Sequence, residues 1–284
     1  MGRITQRRAV TRVVGDVGAR GIDTLVVEEP LEIRIAGAPL AVTMRTPGHD
    51  MDLAAGFLVS EGLVVERDDL RSLTYCAGVL ENAYNVLDAR LATAATAPAS
   101  GLRRALTTTS ACGLCGKEQI EQIRTALVHD LRSDDTTVST ETIRAMPDQL
   151  RAVQDVFERT GGLHAAGLFD AVTGELLVAR EDAGRHNAVD KVIGWALRED
   201  RLPLRGTVLF VSGRASFELV QKAAVAGIPV LAAVSAASSL AAELAEEAGL
   251  TLIGFVRDER MVVYTGTDRM QMGVEARELA GDRA

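Results

Sequence analysis

The chain has 284 residues and carries 31 Lys and Arg against 39 Asp and Glu, a formal net charge of −8. This balance repels nucleic-acid and membrane phosphates over most of the surface, so any anion-binding site must be local. Three cysteines are too few for a secreted disulfide framework, and we therefore expect a reducing, cytoplasmic environment. The length predicts two domains.

The first 20 residues predict a solvated basic arm. Arg7 and Arg8 resemble part of a twin-arginine export signal, but no apolar segment and no small-residue cleavage site follow them. No stretch of the chain reaches the ~18 to 20 continuous apolar residues of a membrane span. We therefore expect no export signal and no membrane association.

Residues 21–100 predict a small α+β domain. Two alternating apolar runs around Gly37 indicate a β-hairpin, and Asp50 or Asp52 is expected to cap a helix that ends before Gly62. Residues 89–110 are rich in Ala, Thr and Ser and lack sustained periodicity, which favours a domain boundary there. The second domain then covers residues 101–270, and residues 271–284 form a polar tail.

The second domain shows the pattern of an α/β protein with a central sheet flanked by helices. Residues 163–180 predict a hairpin that turns at Thr173 and Gly174, and the next segment, GRHNAVDKVIGWAL, predicts an amphipathic helix capped by Asn187. From residue 207, apolar runs of strand length alternate with helices that end at Gly227 and Gly249. Strands that are apolar throughout indicate a parallel β-α-β-α-β core covered on both faces.

Ligands of open parallel sheets bind beyond the carboxyl ends of the strands, beside helix N-termini. Four segments of this chain meet that condition and carry hydroxyl groups or arginines suited to phosphate. Serines that cap helices and arginines in polar loops would explain each segment singly, but four segments at one edge favour an anionic, nucleotide-like ligand. The residues are Arg185 and His186, then Ser212, Gly213 and Arg214, then Ser235, and finally Arg257 and Arg260.

Cys112 and Cys115 form a Cys-x-x-Cys motif in SACGLCGK, before a helix predicted from Lys117 onward. A helix N-terminus favours the thiolate, although it shifts the pKa too little to activate a thiol alone. A structural zinc site lacks a second cysteine pair, a thioredoxin-like dithiol would directly follow a strand, and an inert buried pair does not suit the flanking glycines. A nucleophilic or sulfur-carrying role fits better, but the spacing alone supports it weakly.

Other notable side chains receive structural interpretations. His49 and His164 are predicted to be polar residues in a turn or at a domain contact, outside any catalytic set. His129 is expected on the surface of a helix. Cys76 and Trp195 are expected in the core.

Long segments in a fixed order resemble the FdhD/NarQ family over residues 28–264. The segments are EEPLEIRI, MRTPGHDMDLAAGF, SACGLCGK, TGGLHAAGLFD, EDAGRHNAVDKVIG, SGRASFELVQKA and GLTLIGFVRDER. The resemblance implies a cytidine-deaminase-like fold for the second domain and a homodimer. It also implies a sulfurtransferase that takes persulfide sulfur from a cysteine desulfurase. That sulfur passes to the molybdenum bis(molybdopterin guanine dinucleotide) cofactor before the cofactor enters the formate dehydrogenase apoenzyme.

The resemblance assigns roles residue by residue. Cys112 becomes the persulfide carrier and Cys115 its partner, although which of the two holds the transferred sulfur stays open. The GRHN and SGRAS segments, with Asn187 added to the residues named above, would hold guanine-nucleotide groups, for which GDP is a surrogate. We expect no permanently bound metal. The cofactor-binding segment is Phe255, Val256, Arg257, Asp258, Glu259 and Arg260.

Two rival functions remain. One is a chaperone that binds the cofactor without moving sulfur. The other is a zinc-dependent nucleobase deaminase, which needs His-x-Glu and Pro-Cys-x-x-Cys motifs. Here Ala165 and Ala166 follow His164, and Ala111 precedes Cys112, so the deaminase motifs are incomplete.

Overall fold

The computed structural model of the chain describes residues 4–76, 83–92 and 129–272. Three expectations lie outside these residues: the boundary segment beyond residue 92, the Cys112 and Cys115 motif with the helix predicted after it, and the polar tail beyond residue 272. No helix in the described ranges combines the length and apolar composition needed to traverse a bilayer.

The N-terminal segment forms a solvent-exposed β-ribbon. Strands β1 (Thr5–Val14) and β2 (Val17–Val26) pair antiparallel over their whole length, and Gly15 takes a positive φ of 58° at the turn. The predicted solvation of this arm agrees with its exposure, but the arm is ordered as two strands. The boundary expected at residue 20 therefore falls inside β2.

The small α+β unit contains a four-stranded sheet with the order β4-β3-β6-β5. Its elements are β3 (Glu29–Ile35), β4 (Ala38–Arg45), α1 (Asp50–Ser60), β5 (Leu70–Tyr75) and β6 (Val86–Leu91). The hairpin predicted around Gly37 is confirmed, because Ala36 and Gly37 both have positive φ angles, 49° and 82°, as its two-residue turn requires.

The predicted cap of α1 is wrong. His49, in the left-handed region, occupies the N-cap position and makes no side-chain capping bond, while Asp50 and Asp52 lie in the first turn. Both carboxylates bind arginines outside the helix instead. Arg45 donates two hydrogen bonds of 3.0 Å to Asp50, and Arg180 binds Asp52.

The larger unit is built on a six-stranded mixed sheet with the order β13-β12-β11-β10-β8-β9. A short pair, β7 with β14, and four single 3-10 turns complete the described elements. The elements in chain order are β7 (Val138–Ser139), α2 (Thr140–Ala152), α3 (Asp155–Thr160), β8 (His164–Asp170), β9 (Leu176–Asp182), α4 (Arg185–Arg198), β10 (Thr207–Val211), α5 (Phe217–Val225), β11 (Val230–Ala233), α6 (Ser239–Ala248), β12 (Thr251–Arg257), β13 (Arg260–Thr265) and β14 (Met270–Gln271).

The predicted β-α-β-α-β core is confirmed. Strands β10, β11 and β12 run parallel, and β8 runs antiparallel to both β10 and β9. Alternate strand residues face two separate cores: Leu209 and Leu231 pack with α4 and α5, whereas Phe210 and Ala232 pack with Ile143 and other residues of α2. The sheet is therefore covered by helices on both faces, as its continuous apolar strands require.

The cap predicted for α4 is also wrong. Gly184 occupies the N-cap position and Asn187 lies in the first turn. The Asn187 amide donates to the Met44 carbonyl at 2.7 Å and to Asp182 at 3.1 Å, and its oxygen accepts from Thr43 at 3.2 Å. These long-range bonds join the start of α4 to strand β4.

Helix α1 packs directly on α4 at two facing glycines. A Cβ atom placed on Gly194 would lie 2.5 Å from the Gly56 nitrogen and 2.7 Å from the Asp52 carbonyl carbon. The helix backbones therefore touch where these residues cross. One continuous hydrophobic core includes Leu53 from the small unit and Ile193 from the larger one, so the two predicted domains are packed together.

Three single-residue expectations need adjustment. His129 lies in a bend rather than a helix and is partly buried, with burial lowering its pKa. Cys76 is a free thiol directly after β5 and is only partly buried. Trp195 packs against the core from a partly exposed position, with the Arg201 guanidinium 5.1 Å from its ring centroid.

Candidate functional site

The loops singled out from the sequence lie along one edge of the six-stranded sheet. Strands β9, β10, β11 and β12 all end at this edge, and the antiparallel strand β8 begins there. The register shows this, because His164 pairs with Asp182 and Val211 pairs with Ala166 and with Ala233. Strand direction therefore gathers segments that are far apart in the chain. We call this the carboxyl edge.

Arg185 opens helix α4 beside the loop that follows β10. A Cβ atom on Gly213 would lie 3.4 Å from His164 Nδ1 and 3.8 Å from Arg185 Cδ, so the loop after β10, the start of β8 and the start of α4 lie within van der Waals reach of one another. The Arg185 Nε is buried and has no hydrogen-bond partner among the described residues. A buried donor without an acceptor is costly, and an anionic ligand would supply the acceptor.

Burial favours the neutral form of the two histidines at this edge. Burial, assisted by the positive charges of Arg185 and Lys222, lowers the pKa of His186 to about 4. Burial and Arg185 also lower the pKa of His164. His186 Nε2 lies 3.3 Å from the Ser216 hydroxyl. The positive charge available to a ligand here therefore comes from arginines, and the imidazoles offer neutral hydrogen bonds.

A buried aspartate fixes the turn that presents Arg185 and His186. Asp182 is fully buried, pairs with Lys191 at 2.7 Å, and accepts a hydrogen bond from the Gly184 nitrogen at 2.9 Å. The Lys191 ammonium also donates to the carbonyl oxygens of Thr46 and Glu181. Sequence reasoning did not pair Asp182 with Lys191, because a local pattern does not show which side of the helix after β9 turns toward the end of that strand.

Replacing Asp182 by asparagine is expected to lower the free energy of unfolding by about 3 kcal/mol, because it leaves the buried Lys191 charge uncompensated. Urea denaturation of the wild type and of the Asp182→Asn variant measures the loss. The Asp182→Asn/Lys191→Met double variant should be less destabilised than the sum of its single changes by about 1 kcal/mol or more. If the two single changes in the free energy of unfolding simply add in the double variant, the two side chains do not act as a pair.

The loop after β10 offers hydrogen-bond donors at the carboxyl edge. Ser212 closes a double link with β8: its nitrogen donates to the Ala165 carbonyl at 3.0 Å, and its hydroxyl oxygen accepts from the Ala165 nitrogen at 2.9 Å. Because the hydroxyl acts as an acceptor there, its proton remains free for a ligand. Arg214 is exposed on the same loop. The next loop along this edge follows β11. There the Ser235 carbonyl accepts a hydrogen bond of 3.1 Å from the Phe255 nitrogen.

The FVRDER segment forms the hairpin between β12 and β13. Arg257 and Arg260 face each other across its turn, while Val256 is buried in the core. Phe255 has a φ of 52° and is 42% exposed at a register shift in the hairpin. Within the described ranges, neither of these two arginines has an acidic side chain in ion-pair contact. Opposed like charges destabilise a hairpin, and an anion between them would offset that repulsion.

The other residues of this hairpin have different environments. Asp258 lies at the turn with a φ of 48°. Glu259 forms an ion pair with Arg144 of α2, which ties the hairpin to that helix. The structure therefore places the two arginines and Phe255 at the surface of the edge, and it places Val256 and Glu259 in supporting positions.

Sequence reasoning missed a cleft that opens beside the carboxyl edge. The cleft has a volume of about 490 Å³ and lies between α2, α3 and the ends of β10 and β11. His164 and Ser212 belong both to its lining and to the edge. Its other walls include Arg151, Phe157 and Phe210. No motif signalled these three residues, because they come from three separate elements, α2, α3 and β10.

Metal-binding side chains do not gather at this edge: within the described ranges, no three His, Cys, Asp or Glu side chains are grouped closely enough to hold a metal ion. The fold and the edge together define an α/β protein whose arginines and serines line the carboxyl ends of a mixed sheet. The model of the FdhD/NarQ family matches residues 26–271, and the chain belongs to this family.

Two relatives named sulfur carrier protein FdhD align over nearly their whole length. The protein from Mycolicibacterium paratuberculosis is 56% identical over 271 residues, covering 94% of this chain and 99% of its own. The protein from Streptomyces avermitilis is 55% identical over 282 residues, covering 97% of this chain and 99% of its own. A crystal structure described as a formate dehydrogenase accessory protein from Desulfotalea psychrophila has the same fold, with a TM-score of 0.75, 22% identity and coverage of 95% of this chain and 100% of its own.

Proposed function

We propose that this chain is a sulfur carrier that accepts persulfide sulfur from a cysteine desulfurase and passes it to a molybdenum bis(molybdopterin guanine dinucleotide) cofactor destined for formate dehydrogenase. Support comes from membership of the FdhD/NarQ family and from relatives named sulfur carrier protein FdhD at 55 and 56% identity. A reducing cytoplasm, in which free thiols persist, is the compartment that suits this chemistry. A homodimer and a cytidine-deaminase-like larger unit are part of the proposal.

The sulfur chemistry is assigned to Cys112 and Cys115. In the acceptance step, the thiolate of one cysteine attacks the outer sulfur of the donor persulfide, forms a new S–S bond and releases the donor cysteine as its thiolate. The sulfur atom moves at the same oxidation level, so this step needs no external oxidant. The second cysteine is close enough in sequence to attack the inner sulfur, which forms a disulfide and releases hydrosulfide. A cellular dithiol would then reduce the pair.

The observation that carries the cofactor-binding half of the proposal is the arginine-rich carboxyl edge. Arg185 has a buried Nε without a partner in the described residues, and Arg257 and Arg260 face each other without forming an ion pair in the described ranges. Ser212 has a hydroxyl proton to donate. These groups suit the pyrophosphate of a guanine dinucleotide, because arginine binds phosphate in a bidentate manner and serine adds a neutral donor. GDP is the smallest ligand that presents the same chemistry.

Titration of GDP into the purified protein tests the cofactor-binding part of the proposal. We expect Arg257→Ala and Arg260→Ala each to weaken GDP binding about tenfold or more, since a hydrogen bond to a charged group contributes roughly 1.5 to 3 kcal/mol. The Arg205→Ala variant removes the same charge from the segment before β10, at the opposite end of that strand, and should bind GDP as the wild type does. Equal affinity in all four proteins would contradict an anion site at the carboxyl edge.

A cofactor chaperone without sulfur transfer is the second candidate. It is favoured by one observation: the arginines and serines of the carboxyl edge suit an anionic ligand without the help of a thiol. The cysteine variants described in the Discussion separate the two functions.

A further inference from the structure

A second cavity lies at the opposite edge of the six-stranded sheet. Its volume of about 460 Å³ falls within the range typical of ligand pockets, roughly 300 to 1,000 Å³. Its walls come from the end of α6, the residues before β12, the end of β13 and the 3-10 turn that follows β13. Because β12 runs toward the carboxyl edge, its start at Thr251 lies at the other end of the sheet. We call this the amino-edge cavity.

Four charged side chains line the amino-edge cavity, two of each sign. Arg132 and Arg269 are positive, and Glu246 and Asp268 are negative. Within the described ranges, none of the four forms an ion pair, either with another member of the set or with a charge elsewhere. Charges of both signs that share a cavity without pairing suit a small ligand that itself carries both signs.

Arg269 is the buried member of this set, with 6% of the residue exposed. Its Nη1 donates to the Gly249 carbonyl at 2.9 Å, and its Nη2 donates to the carbonyls of Leu131 and Asp134. The Nε is buried and has no hydrogen-bond partner among the described residues. All the acceptors around this guanidinium are neutral oxygens, so a carboxylate in the cavity would supply both the missing acceptor and a counter-charge.

Arg132 brings a second guanidinium to the mouth of the amino-edge cavity. The residue is exposed, and its Nη2 donates to the Glu247 carbonyl at 2.8 Å, which holds the side chain beside the end of α6. Arginine has five N–H donors, and the contacts in the described ranges use one nitrogen. The other two nitrogens are available to a carboxylate, which arginine binds through two parallel hydrogen bonds.

The acidic side chains restrict the ligand further. Glu246 and Asp268 are exposed at the mouth of the cavity, where a doubly charged phosphate would meet two carboxylates. An ammonium group, in contrast, would donate hydrogen bonds to them. Ala245 and Leu250 are buried members of the lining, and they offer an apolar wall to a short aliphatic side chain.

We infer that the amino-edge cavity binds a small α-amino acid. The carboxylate of the ligand contacts Arg269 and Arg132, and its ammonium group contacts Glu246 and Asp268. The site lies across the sheet from the carboxyl edge, and the inference does not depend on the proposed function.

Calorimetric titration of the full-length protein with three matched probes tests the inference. The probes are L-alanine, propionate, which lacks the ammonium group, and ethylamine, which lacks the carboxylate. We expect the wild type to bind alanine at least about tenfold more tightly than either analogue, because each analogue loses charge-assisted hydrogen bonds. Saturating GDP should leave alanine binding unchanged, since the carboxyl edge lies at the other end of the sheet.

Two variants remove one charge each. Arg132→Ala should weaken the binding of alanine and propionate about tenfold or more and leave ethylamine unaffected. Glu246→Gln should weaken the binding of alanine and ethylamine and leave propionate unaffected. Both residues are exposed, so both variants should unfold at the wild-type temperature, which thermal denaturation verifies.

Arg67→Ala and Glu243→Gln are the matched controls. Arg67 is an exposed arginine that also donates to a backbone carbonyl, that of Leu70, and Glu243 is an exposed acid of α6 outside the cavity lining. Both should bind alanine as the wild type does. Wild-type alanine affinity in both Arg132→Ala and Glu246→Gln would overturn the inference. So would a wild type that binds no alanine, binds propionate as tightly, or loses alanine when GDP is added.

Discussion

Gly194→Ala is expected to lower the free energy of unfolding by about 3 kcal/mol or more. The added methyl group would lie 2.5 Å from the Gly56 nitrogen and 2.7 Å from the Asp52 carbonyl carbon. Both are backbone atoms of α1, so no side-chain rotation relieves the overlap, and the helices must move apart. A loss of stability would be informative, because a glycine-to-alanine change inside an unobstructed helix normally stabilises the helix by about 1 kcal/mol.

Urea denaturation measures this change. Gly18→Ala is the control, because a methyl group at Gly18 in the exposed ribbon would meet only the Thr11 side chain, at 3.4 Å, an ordinary contact. That variant should differ from the wild type by less than about 1 kcal/mol. A Gly194→Ala protein as stable as the wild type would mean that α1 and α4 do not touch at this crossing. Because α4 begins with Arg185, separation of the helices should also weaken GDP binding.

Cys112→Ala and Cys115→Ala are each expected to abolish maturation of formate dehydrogenase while leaving GDP affinity unchanged. The proposed transfer needs one thiol to carry the sulfur and the second thiol to release it. Loss of either thiol therefore stops sulfur transfer. The proposed nucleotide site uses groups of the carboxyl edge instead. The two readouts therefore separate sulfur transfer from cofactor binding.

Complementation measures the first readout: each variant is expressed in cells lacking their own sulfur carrier, and formate oxidation is assayed. Cys76→Ala is the matched control, since Cys76 is a free, partly buried thiol outside the Cys-x-x-Cys motif. It should restore activity fully. Full activity in both Cys112→Ala and Cys115→Ala would favour the chaperone without sulfur transfer.

The carboxyl edge illustrates what the sequence could predict. Strands β10, β11 and β12 are apolar throughout, which indicated a parallel sheet covered on both faces, and parallel strands must end at a common edge. The grouping of the loops after Val211 and Ala233 followed from strand direction alone. Local turn chemistry similarly predicted the hairpins at Gly37 and Gly174.

Side-chain partners outside the helix explain the errors. Asp50, Asp52 and Asn187 have the composition of helix caps, and a local reading places them at N-cap positions. In the fold, Asp52 binds Arg180 across 128 residues and Asn187 binds Met44 across 143 residues. Bonds to partners that far away in the chain cannot be read from a local pattern. Asp50 binds Arg45 of the preceding strand instead of capping the helix.

The cleft could not be predicted from the sequence for a related reason. Helix α2 contains Pro147, a residue that normally breaks a helix, so the local sequence gives no clear signal for the wall formed by Leu150 and Arg151. Periodicity identifies the buried face of a helix or strand, but it does not say which helix covers which part of a sheet. Shared cavities between non-adjacent elements appear only in the fold.

Sulfur transfer by the Cys112 and Cys115 motif can be measured by mass spectrometry. The purified protein is incubated with a cysteine desulfurase and cysteine, and intact-mass analysis is followed by peptide mapping. We expect the protein to gain the mass of one sulfur atom, which a dithiol reductant removes and which maps to the peptide containing SACGLCGK. A protein whose mass stays unchanged, or whose added sulfur maps to Cys76, would show that the motif is not the sulfur carrier.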